Sequence, residues 1–253
     1  MSYKIIIVVL LVYLFLIKGK GCKIDKRPYA HRGFHDQHGG PAENTLSAFQ
    51  KAKDYGYGIE LDVQLTRDEK VVVFHDETLK RMTQDHRKVS ELTLDELKTI
   101  SIGGSRIPTL EETLTLVSGQ VPLIVELKSH GNYRKLCSET ALLLDRYEGD
   151  FVIESFDPRI VYWFRKHRPN FRRGILIMNY KKYDSVMQGL LINSLLLNVL
   201  MRPHFIALAK DVVDKHPSVL LYRYLNGNIV VWTIHENDPY KKEDIIIFEY
   251  FRA

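Results

Sequence analysis

From residue 28 onward, short apolar runs alternate with longer segments in which apolar residues recur at helical spacing. The apolar runs have the length of buried strands. Nine of them occur, at residues 29–31, 59–65, 71–74, 123–127, 151–156, 174–178, 205–209, 229–234 and 245–248. Strands that alternate with helices are joined as parallel neighbours by crossover connections. The pattern therefore predicts an α/β fold built on a parallel sheet.

Two of the runs are too close together for a crossover helix. Only residues 66–70 separate the runs 59–65 and 71–74, so we predict an antiparallel hairpin there. Setting aside the returning arm leaves eight strands, the number that closes a TIM-type (β/α)8 barrel. The prediction is such a barrel, with a β-hairpin and a small insertion after the second strand and a hydrophobic helix before the first. The residues after 248 leave no room for a full eighth helix.

The N-terminal segment carries an unbroken apolar run over residues 5–17. As a helix it spans roughly 20 Å, short of the roughly 30 Å hydrocarbon core of a bilayer. Lys4 and Lys18 can extend its reach by snorkelling. We predict a single membrane anchor with a basic juxtamembrane segment over residues 1–27, which would make the protein membrane-anchored on a side left open. A cleaved signal peptide and lipidation of Cys22 are the alternatives.

The net charge of +5 is confined to that N-terminal segment. Residues 1–27 hold six basic side chains and one acidic one, so residues 28–253 balance to zero. Binding of nucleic acid needs several cations placed against phosphates, and the balanced part offers no broadly basic surface. We therefore exclude nucleic acid as a partner and predict that residues 28–253 form one barrel domain.

Carboxylates stand at the ends of two neighbouring predicted strands. Active sites of such barrels lie where the strands end. Glu60 and Asp62 share one side of their strand, since strand side chains repeat every two residues, and Glu126 ends the next strand. Three anionic oxygen ligands favour Mg²⁺ or Ca²⁺. Each acid taken alone also fits a helix cap or an ion pair.

Two histidines, His31 and His75, stand at the end of the first strand and of the returning hairpin arm. If the hairpin turn centres near Arg67 and Asp68, the residue numbers of two paired residues add up to about 135. His75 then faces Glu60 across the hairpin. Cleavage of a phosphodiester needs one group to deprotonate the nucleophile and another to protonate the leaving oxygen. Two imidazoles with pKa values near neutral can do both.

Three further side chains are candidates for substrate contact. Arg32 and Lys128 can hold phosphate oxygens, the arginine by its fork and the lysine as a point charge. Trp232 either forms an apolar wall for a glycerol or lipid moiety or packs in the core.

These motifs, in this order, resemble the glycerophosphodiester phosphodiesterase family over roughly residues 28–253. The matching segments are Ala30-His31-Arg32-Gly33, Pro41-Ala42-Glu43-Asn44-Thr45, Ile59-Glu60-Leu61-Asp62-Val63, Val72-Val73-Phe74-His75-Asp76, Ile107-Pro108-Thr109-Leu110-Glu111-Glu112, Val125-Glu126-Leu127-Lys128, Ser155-Phe156 and Trp232-Thr233. One departure is His235, which stands where the family often has Asn.

The resemblance implies a phospholipase-C-like barrel that hydrolyses a small-molecule or lipid-derived glycerophosphodiester to an alcohol and glycerol 3-phosphate. The roles it implies are a divalent cation at Glu60, Asp62 and Glu126, acid–base catalysis by His31 and His75, and phosphate binding by Arg32 and Lys128. The hydrophobic N-terminus is similar to that of membrane-attached branches of the family.

Two other functions stay open at the level of the sequence. One is a membrane-associated lysophospholipase D-type hydrolase of acylated glycerophospholipids, which the apolar stretch 189–200 would favour if it faced lipid. That stretch also fits a buried amphipathic helix. The other is a membrane-tethered barrel that binds phospho-ligands without turnover.

Overall fold

The barrel strands form where the apolar runs predict them, and they close into a ring. The computed structural model describes residues 3–36, 39–213, 215–242 and 244–253. Its strands are β1 (Tyr29–Ala30), β2 (Gly58–Leu65), β3 (Val71–Val73), β4 (Ser101–Ile102), β5 (Ser105–Arg106), β6 (Leu123–Leu127), β7 (Phe151–Ser155), β8 (Arg173–Ile177), β9 (Phe205–Ala209), β10 (Asn228–Ile234) and β11 (Ile245–Phe248). Eight of them pair in parallel in the order β1, β2, β6, β7, β8, β9, β10, β11, and β11 returns to β1. The predicted TIM-type barrel is confirmed.

Helices connect most of these strands, and the residues at their N-termini explain where they begin. They are α1 (Tyr3–Ile17), α2 (Leu46–Asp54), α3 (Leu94–Lys98), α4 (Leu110–Val117), α5 (Tyr133–Leu144), α6 (Pro158–His167), α7 (Val186–Asn193), α8 (Asn198–Met201) and α9 (Pro217–Tyr224). Thr93 and Thr109 each form a capping box with the glutamate three residues later. Asp157 caps α6, whose first residue, Pro158, has no N–H to satisfy.

Alternation along the barrel strands separates two apolar layers. Ile124, Val152 and Leu176 belong to a cluster of strand residues that fills the barrel. Residues of the opposite parity, such as Leu61 and Val125, pack against the surrounding helices. Side chains two residues further along a strand point to the same side. Inward-facing residues near the carboxyl ends of these strands therefore face the mouth of the barrel.

The predicted hairpin forms between β2 and β3, but its register differs by one residue. Leu65 pairs with Val71 and Val63 with Val73, so paired positions sum to 136 and the ladder ends before His75. The turn centres on Asp68 because the Thr66 N–H bonds Lys70 O and Glu69 takes a left-handed φ of 60°. The prediction that Glu60 faces His75 across the ladder is therefore wrong.

The N-terminal helix α1 docks its end on the barrel's outer helices. The hydroxyl of Tyr13 donates to Ser194 O over 2.8 Å, the amide of Asn198 donates to Ile17 O over 2.9 Å, and Ile17 is buried. None of the helices among the described residues combines the length and apolar character needed to cross a membrane. With 15 residues α1 rises only about 22 Å. The predictions of a membrane-spanning anchor and a membrane-anchored protein are wrong, whereas the domain boundary at residue 28 stays a prediction.

The apolar stretch 189–200 is not one helix but is divided between α7 and α8. Leu195 takes a left-handed φ of 60° between them, and Asn193 donates to Gly189 O over 2.9 Å. Ile192 and Leu195 are buried, whereas Leu190, Leu191 and Leu200 are exposed, so the outer side of this stretch is apolar as well.

The described residues after β11, 249–253, form no helix, as expected. Aromatic rings cover this part of the barrel instead. Phe248 packs against Tyr57 with ring centroids 4.8 Å apart and against Phe251 at 5.3 Å, and Phe34 lies 6.0 Å away. The chain end is thereby held on the strand that closes the barrel.

A buried histidine at the start of β9 should make stability fall in mild acid. The Arg173 N–H donates to Nδ1 of His204 over 3.2 Å, which requires a neutral ring. Burial, with the nearby positive charge of Arg173, lowers the pKa of His204 from 6.5 to about 4. The unfolded chain therefore binds the extra proton between these values, and the free energy of unfolding falls as pH drops from 6.5 toward 4.

The measurement is the urea midpoint across this pH range for the wild type and His204→Asn, whose amide oxygen can accept the same bond. The variant should lose less stability in acid than the wild type. His86→Asn, on an exposed histidine, is the control. Identical pH profiles for all three proteins would contradict the assignment.

Candidate active site

The predicted site residues meet at the carboxyl ends of the barrel strands. A cavity of about 150 Å³ opens there. Its lining is His31, Arg32, Glu60, His75, Glu126, Lys128, Glu154, Phe156, Leu176, Trp232, Thr233 and Ile247. Asp62 is fully buried and joins the same group through its ion pair with Lys128. All eight residues singled out in the sequence are thus brought together, while their roles stay predictions.

Three buried carboxylates form the negative centre of the site. Glu60, Asp62 and Glu126 are 0–7% exposed, and each offers an oxygen within 4.8 Å of the others. Burial and the neighbouring negative charges raise the pKa of Glu60. Burial also raises the pKa of Glu126, to about 7, despite the opposing effect of Lys128. A cluster of hard oxygen donors whose charge is this costly fits a divalent cation.

Two cations offset part of that charge. Lys128 Nζ lies 2.8 Å from Asp62 Oδ1 and 2.6 Å from Glu126 Oε1. Arg32 Nε lies 3.4 Å from Asp62 Oδ2, while its Nη1 donates to Glu43 over 2.8 Å. Although burial acts against ionisation, Lys128 and Arg32 hold the pKa of Asp62 well below its usual range. Asp62 is therefore ionised across the working range of most enzymes.

The backbone before α2 is shaped to bring these groups together. Arg32 takes a left-handed φ of 55°, and its N–H donates to Glu60 Oε2 over 2.9 Å. Gly33 follows with φ 81°, and a Cβ there would lie 2.8 Å from the Phe49 ring. Only glycine fits that position without displacing α2. The His-Arg-Gly motif is thus a turn that aims an arginine N–H at a buried carboxylate.

Each candidate acid–base histidine has a carboxylate on its Nδ1. His31 Nδ1 lies 3.2 Å from Glu249 Oε1, and its Nε2 lies 3.9 Å from Glu60 Oε2. His75 Nδ1 lies 2.6 Å from Asp76 Oδ1. Burial lowers the pKa of both rings, that of His75 to about 4. A carboxylate on Nδ1 fixes the tautomer and leaves Nε2 for proton transfer.

Two polar residues of the site escaped the sequence reasoning. The Asn44 amide donates to Asp62 Oδ2 over 2.8 Å, and Asn44 takes a φ of 54°, so Thr45 alone caps α2. Glu249 follows the last strand directly. It lies two residues after the inward-facing Ile247, so strand alternation was the signal that could have found it.

Three buried polar atoms of cavity-lining residues lack a hydrogen-bond partner among the described residues. They are Arg32 Nε, Glu154 Oε2 and Trp232 Nε1. The Trp232 ring packs edge-on against Phe156, with centroids 5.6 Å apart. Trp232 therefore contacts an aromatic neighbour and lines the cavity, and its buried N–H has no acceptor among the described residues.

Comparison with family profiles matches residues 31–248 to the Glycerophosphoryl diester phosphodiesterase family. The matched range runs from the first candidate histidine to the end of β11, which is most of the chain. The chain belongs to this family. The predicted resemblance is confirmed, and with it the assignment to a family of phosphoric diester hydrolases.

Individual members of the glycerophosphoryl diester phosphodiesterase family share part of the sequence. The glycerophosphodiester phosphodiesterase of Caldanaerobacter subterraneus is 38% identical over 162 residues, which are 58% of this chain and 65% of that relative. That of Bacillus altitudinis is 32% identical over 165 residues, 60% of this chain and 66% of the relative. The chain thus aligns with slightly less than two thirds of these relatives' length.

Solved structures of the family share the fold over nearly the whole chain. The enzyme of Thermotoga maritima has a TM-score of 0.68 at 27% identity, covering 90% of this chain and 96% of that one. A phosphodiesterase of Oleispira antarctica, solved in complex with sn-glycerol-3-phosphate, has a TM-score of 0.71 at 21% identity, covering 88% and 92%. The barrel architecture is common to all of them.

Binding of a divalent cation at the three carboxylates should stabilise the fold. A ligand present at about 100 times its Kd adds about 2.7 kcal/mol to the free energy of unfolding. For a protein of this size that corresponds to a rise in Tm of roughly 5–10 °C. Mg²⁺ and Ca²⁺ should each be titrated while Tm is recorded.

Asp62→Asn should abolish the metal-induced rise in Tm. Glu148→Gln, at an exposed acid away from the cavity, should keep it. An unchanged rise in Asp62→Asn would show that the ion binds elsewhere.

Proposed function

We propose that this barrel hydrolyses glycerophosphodiesters to an alcohol and glycerol 3-phosphate with the help of a divalent cation. The observation that carries the proposal is a single cavity that holds two carboxylate-paired histidines, a buried three-carboxylate cluster and a lysine. Family membership and the names of the Caldanaerobacter and Bacillus relatives support the same chemistry.

The cation would be held by Glu60, Asp62 and Glu126, which offer only oxygen ligands suited to Mg²⁺ or Ca²⁺. When bound, it supplies positive charge that polarises the phosphate and stabilises the developing negative charge. Lys128 contacts two of these carboxylates and lines the cavity, so its ammonium also stands against an entering phosphate. Arg32 reaches the cavity wall and adds N–H donors for a phosphate oxygen.

The two histidines divide the proton transfers between them. With Nδ1 bonded to a carboxylate, each ring exposes Nε2 to the reaction. The neutral ring removes a proton from the nucleophile, and the protonated ring delivers one to the leaving oxygen. Burial lowers the pKa of both rings, which suits the base. The phosphodiester anion raises the pKa of the acid once it is bound beside the ring, since an opposite charge favours the charged form.

The size of the cavity favours a deacylated substrate. It measures about 150 Å³, and an adjoining cavity of about 230 Å³ shares His75, Glu126, Lys128 and Phe156 with it. Even together they lie at the lower end of the roughly 300–1,000 Å³ of pockets for drug-sized ligands. A glycerol phosphate group suits this volume better than one carrying an acyl chain. Together with the absence of a membrane-spanning helix among the described residues, this gives no support to the membrane-associated lysophospholipase D alternative.

Removing either histidine should nearly stop turnover. General acid–base catalysis contributes about 10²–10⁴-fold, so His31→Ala and His75→Ala should each lower kcat by that factor. Release of glycerol 3-phosphate from glycerophosphocholine, measured with Mg²⁺ or Ca²⁺ and again with EDTA, checks this.

EDTA should abolish the activity of the wild type, and His86→Ala, on an exposed ring, should be fully active. Full activity of His31→Ala would overturn the mechanism. Metal-dependent binding of the diester without product would instead support the non-catalytic barrel.

Acylation of the substrate should lower the rate. We expect kcat/KM for glycerophosphocholine to exceed that for lysophosphatidylcholine by at least about tenfold, because an acyl chain would extend beyond these small cavities and cost at least about 1.4 kcal/mol of transition-state binding. Both substrates should be compared below the critical micelle concentration of the lipid. Equal values would refute the argument from cavity volume.

A further inference from the structure

The Glu249 carboxylate is surrounded by three imidazoles. Its Oε1 accepts from Nδ1 of His31 over 3.2 Å and from Nε2 of His35 over 2.9 Å. Its Oε2 lies 3.4 Å from Nε2 of His235. His35 is almost fully buried, and the Glu249 side chain is only 12% exposed. Glu249 and His35 are therefore a buried pair behind His31 rather than a surface ion pair.

Backbone hydrogen bonds hold Glu249 in place on both sides. Its N–H donates to Ile234 O over 2.9 Å, at the end of β10. On the other side, the His31 N–H donates to Phe248 O, also over 2.9 Å. His31 thus continues the pairing of β1 with β11, and Glu249 continues the pairing of β11 with β10. The carboxylate is positioned by barrel closure itself and needs no flexible loop.

An ionised carboxylate can only accept hydrogen bonds, so its contacts fix the protons on its partners. Oε1 requires the His31 proton to sit on Nδ1, which leaves Nε2 directed toward the metal-ligand candidate Glu60 at 3.9 Å. The same oxygen requires a proton on Nε2 of His35. His35 therefore fills the second acceptor direction of Oε1 and restrains the carboxylate against rotation.

We propose that Glu249 is a positioning residue that selects the Nδ1–H tautomer of His31 and holds its Nε2 toward the three-carboxylate cluster, with His35 as its brace. The inference rests on the proposed function, since it assigns to His31 the proton transfer described above. Glu249 itself does not line the cavity among the residues that the structure describes. It acts through His31 alone.

The first test is spectroscopic and needs no turnover. Long-range ¹H–¹⁵N correlation of ¹⁵N-histidine-labelled protein, at a fixed alkaline pH where imidazoles are neutral, reports which ring nitrogen carries the proton. His31→Gln identifies the His31 signals. The wild type should show His31 protonated on Nδ1, and Glu249→Gln should show a mixture of tautomers. An unchanged tautomer in Glu249→Gln would overturn the proposal.

The second test is kinetic. Loss of a residue that orients a site histidine costs about 10–100-fold, so Glu249→Gln should lower kcat by that factor with KM unchanged. Glu249→Asp keeps the charge and should recover part of the loss. Glu236→Gln, an exposed acid beside His235, is the matched control and should behave as the wild type. The Tm of each variant shows whether it is folded.

The outcomes separate this inference from the proposed function. A folded Glu249→Gln variant with wild-type kcat would refute the positioning role and leave the hydrolase intact. A wild type that releases no glycerol 3-phosphate would refute the hydrolase, and the tautomer measurement would still decide whether Glu249 holds the Nδ1 proton. An equal loss of kcat in His35→Gln and in Glu249→Gln would show that His35 is as necessary for orienting His31 as the Glu249 carboxylate is.

Discussion

The mutual repulsion of three carboxylates buried within 4.8 Å of one another is the constraint on which the site depends. Charges removed from water are costly unless they are paired and hydrogen-bonded. The surrounding residues offset part of that cost. Lys128 forms ion pairs with two of the acids, and the Asn44 amide and the Arg32 N–H each donate a hydrogen bond to one acid. Both Arg32 and Asn44 adopt left-handed backbone to do so, at about 1 kcal/mol or more each.

The three-carboxylate cluster costs the fold stability. The fold would gain from replacing the acids with apolar residues, because the strands around them are otherwise packed with Ile, Val and Leu. Their retention beside two imidazoles with lowered pKa values is the pattern expected of a site rather than of a core. Stability and function thus make opposite demands at the mouth of this barrel.

Sequence periodicity was sufficient to predict the barrel. It was not sufficient to predict the hairpin register or the boundary between α7 and α8, which depend on local backbone conformation. All eight barrel strands follow from short apolar runs, since a strand buried on both faces has a simple signature. The hairpin register was missed by one residue because it depends on the left-handed conformation of Glu69, which a non-glycine residue does not signal. The split between α7 and α8 at Leu195 is hidden for the same reason.

The sequence predicted the site residues that stand in motifs at strand ends. It missed residues that contribute only by contacting another site residue. His31, His75 and the three acids stand at strand ends, so position and chemistry coincided. Asn44 was missed because its bond to Asp62 depends on the packing of α2 against the barrel. The N-terminal segment was misread because apolar content alone does not distinguish a short docked helix from a spanning one; α1 is bonded to Ser194 and Asn198.

The bond between His31 and Glu249 joins residues 218 positions apart in the chain. On the ribosome, the histidine emerges directly after β1 and its carboxylate partner only after β11. Bringing such distant segments together costs loop-closure entropy that only the nearly complete barrel can offset. A growing chain that has made every barrel strand but β11 therefore has the three buried carboxylates and both histidines, yet lacks the bond that orients His31. That bond forms only in the step that closes the barrel.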